Sequence, residues 1–334
     1  MLDEALAIRL AVHGEGHRAV AITANNLAAA YFFRGQLDDA IRVQEVAVKA
    51  LRQAVGPRHQ RTVVALGNLA AFRRTAGDWE GADGDYRELL AIQSGLQGAD
   101  HPIAARVKAS LAQVVLERGV AQADDSALAE AESFYREALA SFESRLGAEH
   151  PQVAVTAAWT AMAISERGRH DEALPLAENA VRILRATLGD ANPNTLGAVG
   201  RLALIHWRLG SRDQAVGEQR RLVADLERGG GGNPEAAMAR SVLCDFLLTR
   251  GGPDVSEAAE QCDRATAALE GAPAGYRRNL PYVRLRLAQA RLALGERAAA
   301  ESIAAQVRAG LDGNRGNAPA RRVLDSLSAA LRGR

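Results

Sequence analysis

Aromatic residues make up only 4% of this 334-residue chain, so its packing must be largely Ala, Leu and Val. Cysteine is nearly absent: Cys244 and Cys262 are the only two, too few for a disulfide-built scaffold. They fall in separate predicted helices with no metal-ligand pattern nearby. They read as buried thiols of a reducing compartment, with a disulfide or redox pair as the alternative. There is no excess of charge of either sign. The formal net charge is +1, and the basic residues, almost all Arg, are interleaved with Glu and Asp. That pattern gives no reason to expect nucleic acid or an acidic membrane as partner. No apolar run reaches transmembrane length. Met1-Leu2-Asp3-Glu4-Ala5-Leu6 reads as an acidic helix rather than a basic-then-apolar leader, so the expected location is cytoplasmic.

What the chain does have is a repeat. In Arg18 to Arg58, Ile22, Leu27, Ala30 and Tyr31 form an apolar stripe at helical spacing, and Gly35 ends it. A second helix follows, with Asp38 and Asp39 in its first turn, where the helix dipole favours carboxylates. Ala40, Ile41, Ala47, Val48 and Leu51 continue its apolar face. A boundary glycine recurs at Gly14, Gly56, Gly98, Gly147 and Gly189, and a mid-unit glycine at Gly35, Gly77, Gly119, Gly168 and Gly210. The step is 42 residues except for one of 49, which places seven extra residues around Val120 to Ser126. Such insertions ordinarily form loops. Pro175, near the start of a second helix, predicts a kink rather than a break.

The expected fold is all-α: a solenoid of antiparallel helix pairs. A half-repeat occupies residues 1–14 and about five repeats follow to 228. Degenerate repeats fill 229–334, closed by a capping helix from Ala318 to Leu331. Gly229-Gly230-Gly231-Gly232 reads as a joint, because it lacks the Lys-Ser/Thr ending of a phosphate loop.

The repeat resembles the 42-residue tetratricopeptide (TPR) repeat of kinesin light chains and of many bacterial proteins. The resemblance rests on Asn25-Asn26-Leu27-Ala28 with Tyr31 and Gly35, and on Asn68-Leu69-Ala70 with Gly77. It rests also on Tyr135-Arg136-Glu137-Ala138-Leu139, and on Leu146-Gly147 before His150-Pro151. The resemblance implies a right-handed superhelical solenoid, all-α, whose first helices line a concave peptide-binding groove. The matching positions are Asn25, Ala29 and Phe32; Asn68, Ala71 and Arg74; Arg106, Ser110 and Gln113; Trp159, Met162 and Ser165; and Arg201, Leu204 and Trp207. Asn offers donor and acceptor to a peptide backbone, Arg a fork for carboxylates, and Trp and Phe apolar anchors. For the asparagines an inter-repeat hydrogen bond is the competing role, and for Trp159 and Trp207 it is packing between helices. The paired Asn of the first repeat is not kept in the later ones, which argues against a kinesin-type Asn ladder.

No catalytic constellation emerges. His17, His59, His101 and His150 recur once per repeat, which points to a repeated structural job, and their separation is too great for one metal ion. No nucleotide, Cys-pair or HExxH motif appears, and no cofactor is expected. Three readings follow. The first is a scaffold holding a peptide or protein partner in the groove, with no catalysis of its own. The second is a regulatory or oligomerising segment of a larger signalling protein. The third is an enzyme built on the solenoid. The half-repeat at Met1 exposes an apolar flank, which suits either a piece of a longer protein or a homodimer through that flank.

Overall fold

A computed structural model describes residues 2–228, 234–272, 274–277, 279–311 and 318–332. The Gly229 to Gly232 joint lies outside these residues. Among those described every regular element is a helix. α1 (Leu2–His13) stands alone. Five hairpins follow: α2 (Arg18–Arg34) with α3 (Leu37–Val55), α4 (Gln60–Ala76) with α5 (Trp79–Gln97), α6 (Pro102–Gln122) with α7 (Asp125–Leu146), α8 (Pro151–Glu166) with α9 (His170–Leu188), and α10 (Pro193–Arg208) with α11 (Arg212–Arg228). The degenerate region adds α12 (Pro234–Arg250) with α13 (Asp254–Glu270), a short α14 (Ala274–Arg277), α15 (Leu280–Ala293) with α16 (Arg297–Leu311), and α17 (Ala318–Arg332). This is the all-α architecture of helix pairs that the periodicity predicts, TPR-like as the resemblance implies.

The helices pack as two compact units, Met1–Gly147 and Ala148–Arg334. This division falls between the third and fourth hairpins, whereas the change in repeat regularity placed a boundary at 228/229. In unit 1, Ala24, Ala28, Ala40 and Ala47 are fully buried, and Val20, Leu27, Leu51 and Leu69 fill the space between helices. Small residues let the backbones approach, and each buried Leu or Val contributes about 1.5–3 kcal/mol. Unit 2 repeats the scheme around Leu243, Cys244, Leu247, Cys262 and Leu269. α9 runs unbroken through Pro175, whose missing N–H falls close to the helix start.

The turns follow the predicted glycines. At Gly77 the backbone is left-handed (φ 83°), and its N–H donates to the Arg74 carbonyl at 3.1 Å, closing α4. Gly119 departs from the series. It sits inside α6, where a Cβ would lie 2.8 Å from Leu128 Cδ2, so its job is close helix approach. The left-handed cap has moved to Ala123 (φ 55°), and the Asp124 N–H donates to the Gly119 carbonyl. The seven extra residues therefore do not form the expected loop. α6 has 21 residues against 17 in α2 and α4, and α7 has 22 against 19 in α3 and α5. Four residues lengthen one helix and three the other, which is about a turn each and keeps both apolar stripes in register.

The expectation of free thiols is also corrected. Cys244 of α12 and Cys262 of α13 form a disulfide, with their Cα atoms 5.7 Å apart and both residues fully buried. They belong to the two helices of one hairpin, and their turn brings positions 18 residues apart face to face.

Candidate binding site

The recurring histidines start helices. The backbone N–H two residues on donates to the imidazole Nδ1: Ala19 to His17 at 3.1 Å, Arg61 to His59 at 3.2 Å, Ile103 to His101 at 3.2 Å and Gln152 to His150 at 3.0 Å. Asn192 does the same with its Oδ1 for Asn194 at 2.9 Å. Each cap serves the helix that follows it. His170 Nδ1 lies 3.0 Å from Ser165 Oγ. His206 is buried and pairs its Nδ1 with Glu218 Oε2 at 2.9 Å, a carboxylate twelve residues away on the next helix. Among the described residues no group of three or more His, Cys, Asp or Glu could hold a metal.

The groove candidates of unit 1 engage one another. Asn25 Oδ1 accepts from Gln44 Nε2 at 3.1 Å and from Asn68 Nδ2 at 3.4 Å, which ties α2, α3 and α4 together. Gln44 is fully buried and its Nε2 also donates to the Ala65 carbonyl at 2.9 Å. Phe32 stacks on Phe72, centroids 4.5 Å apart. Arg74 Nη1 and Gln113 Nε2 converge on Glu117 Oε1, at 2.7 and 3.2 Å. Arg106 is exposed on α6. In unit 2, Arg201 lies over the Trp159 ring at 4.0 Å, a cation–π contact between α10 and α8. Trp207 stacks on Phe246 with centroids 4.3 Å apart, linking α10 to α12.

Two stretches of the chain are thus built to one plan. Phe32 on Phe72 joins α2 to α4, as Trp207 on Phe246 joins α10 to α12. Gln44 on α3 donates to the Ala65 carbonyl, as Gln219 on α11 donates to the Ala239 carbonyl at 2.9 Å. The plans differ at one place. Asn25 and Asn68 occupy the eighth residue of α2 and the ninth of α4; in α10 and α12 those places belong to Gly200 and Val242.

There a cleft of about 880 Å³ opens. α10 and α12 both pack on α11 and form the walls, with α11 as the floor. Leu196, Gly200, Leu204, Leu222, Met238 and Val242 give it an apolar lining. Charged groups at the edge are matched: Asp225 by Arg228, and Asp190 by Arg185 at 3.0 Å. Tyr276 Oη donates to Glu235 Oε1 at 2.5 Å, and this bond, with burial second, pushes the phenol up to about 12. Of the residues read from sequence as groove positions, Arg201 and Leu204 line this cleft. Gln219, Gly200 and Tyr276 were not anticipated. The available signal was that Gln44 and Gln219 hold one repeat position, occupied in between by Tyr86, Tyr135 and Ala177.

The fold and this arrangement define a helical-hairpin repeat protein with an open cleft between first helices. Tetratricopeptide repeat models match residues 1–53, and residues 124–152 with 161–194. Over those residues the chain carries tetratricopeptide repeats. No curated protein sequence matches it. Among solved structures, nearly identical TPR-like repeats assigned to a kinesin light chain of Podosopora anserina share 23% identity, covering 62% of this chain and 94% of that one, with a TM-score of 0.51. A tetratricopeptide repeat protein from Parabacteroides merdae covers 92% of this chain and 98% of its own at 13% identity, TM-score 0.54. A Rap protein complexed with competence and sporulation factor covers 98% and 84% at 12% identity, TM-score 0.57. Among the described residues no helix is long and apolar enough to cross a membrane.

Proposed function

We propose that the chain is a non-catalytic binding module that holds a peptide or protein segment against the first helices of its repeats. The observation that carries this reading is the cleft between α10 and α12, apolar over most of its lining, where Asp190, Asp225 and Glu235 are each already paired with a neighbouring Arg or Tyr. The Rap protein neighbour, solved with a bound factor on a similar fold, supports it. In unit 1 the candidate groove residues Asn25, Asn68, Arg74 and Gln113 are engaged with one another or with Glu117, so the first contact with a partner is assigned to unit 2. Affinity capture tests this with three forms of the full chain: wild type, Asn68→Ala with Arg74→Ala, and Arg201→Ala with Leu204→Ser. Loss of a partner in the third form alone, with helicity retained in all, is the expected result. A partner kept equally by all three rejects the assignment.

A homodimer through α1 is a second reading, favoured by the exposure of Ile8 (63%) and Val12 (68%) on that helix. Sedimentation equilibrium decides it: a monomer mass across the micromolar range removes it.

A further inference from the structure

We infer that the unit 2 cleft takes an extended peptide segment, one aliphatic side chain of which enters between α10 and α12 while a neighbouring backbone carbonyl accepts from Gln219 Nε2. This rests on the binding-module reading and names its ligand class.

One plan is filled in two ways in this molecule. In unit 1 the space over Gln44 is filled from within: Asn25 and Asn68 meet at 3.4 Å, and Asn25 Oδ1 takes the second N–H of the Gln44 amide at 3.1 Å. Unit 2 keeps the buried glutamine, its bond to the facing backbone carbonyl, and the aromatic stack beyond it. It has withdrawn both asparagines. Gly200 has no side chain and Val242 has no polar atom, so the place of the amide pair becomes open and apolar. Gln219 Nε2 carries two N–H groups and donates one, to Ala239; the counterpart of the acceptor that Gln44 uses is gone. The flip of this amide is fixed, because the Ala239 carbonyl can only accept.

The occupant must therefore supply an oxygen acceptor beside an apolar group. The edge charges select against a charged occupant, since Asp225 and Asp190 already hold arginines and Glu235 holds Tyr276. A helix offers few carbonyls, having spent them on its own i→i−4 bonds, whereas an extended segment presents one at every residue. The volume lies in the range of ligand pockets and exceeds a single side chain, so the flanking residues are also covered.

The test uses the full chain and a positional library of N-acetylated, C-amidated hexapeptides. Leu, Ile, Met or Val should be selected at one position, and Ser, Asp and Lys rejected there. Gly200→Asn restores the Asn25 half of the unit 1 arrangement and fills part of the cleft; its Cβ would lie 3.3 Å from Leu222 Cδ2, which a small shift of that side chain accommodates. It should weaken the selected peptide at least tenfold. Gly67→Asn adds the same side chain at the same repeat position in unit 1 and should leave affinity within twofold. Gln44→Leu loses two interhelix bonds and Gln219→Leu one, so Gln44→Leu should lower the melting temperature at least as much, but only Gln219→Leu should weaken the peptide, about fivefold. Peptides bound equally by wild type and Gly200→Asn overturn the inference and leave the binding-module reading standing. Selection of a charged residue at that position, or equal effects of the two Gln→Leu variants, also overturns it. If no hexapeptide binds while palmitate does, and Gly200→Asn abolishes palmitate binding, the cleft serves a small apolar molecule and both readings fail.

Discussion

A single imidazole decides how four of the first helices begin. His101 precedes Pro102, and its Nδ1 accepts the Ile103 N–H, one of the donors that a helix start leaves without an intrahelical partner. Removing such a cap costs about 1 kcal/mol. His101→Ala should lower stability by that amount in urea unfolding, while His101→Asn should restore most of it, because Asn192 already performs the same task for α10. An equal loss in both would show that the ring packs rather than caps. The sequence shows that these histidines recur, but not which helix they serve, since the acceptor role depends on backbone direction at the turn. At Tyr276 the residue scale shows in titration. Hydrogen bonding to Glu235 favours the neutral phenol, so its folded value of about 12 exceeds the ordinary 10. The stabilisation is complete below pH 10 and is lost as pH rises through about 12. The absorbance titration of wild type minus Tyr276→Phe should therefore isolate a phenolate that forms about two pH units late.

Elements absorbed the one irregularity in the repeat. A seven-residue insertion was legible by counting, yet its form was not, because counting locates extra residues without saying whether they continue a helix. The stretch Val120 to Ser126 contains Ala, Val and Gln, which extend a helix at little cost, and no Pro or Gly to stop one. Gly119 keeps the glycine series and so points to a turn; its real constraint is Leu128, close to where its Cβ would be. The cost of the longer helices is a left-handed Ala123, the one non-glycine residue with positive φ among those described. A left-handed alanine is disfavoured by about 1 kcal/mol relative to glycine. Ala123→Gly should accordingly raise stability by about 1 kcal/mol in chemical unfolding. No gain would mean that the cap relaxes in solution. The disulfide escaped for a related reason. Separate helices do not imply separate space, and Cys244 and Cys262 lie on either side of the one turn at Gly251-Gly252, where the hairpin brings them face to face.

At the scale of the whole molecule the fold was readable because every repeat restates it, and the cleft was not, because it lies in a difference between repeats. Glycine and alanine positions carry the hairpin by recurrence; Gly200 and Val242 matter only against Asn25 and Asn68, and that comparison needs helix starts known to the residue. The same repetition shapes how the molecule unfolds. In a stacked array, stability is close to a sum of repeat and nearest-neighbour contributions, so damage should fade with distance along the chain. Three tryptophans report on this: Trp79 in unit 1, and Trp159 and Trp207 in unit 2. Leu66, buried in α4 with 1% exposure, is the place to perturb. Leu66→Ala removes about 2–5 kcal/mol of packing. In variants keeping only Trp79 or only Trp207, urea unfolding followed by fluorescence should show a large fall in midpoint at Trp79 and a clearly smaller one at Trp207. Equal shifts at both would mean that the two compact units melt as one cooperative body, with coupling beyond the nearest neighbour outweighing the modularity of the repeat.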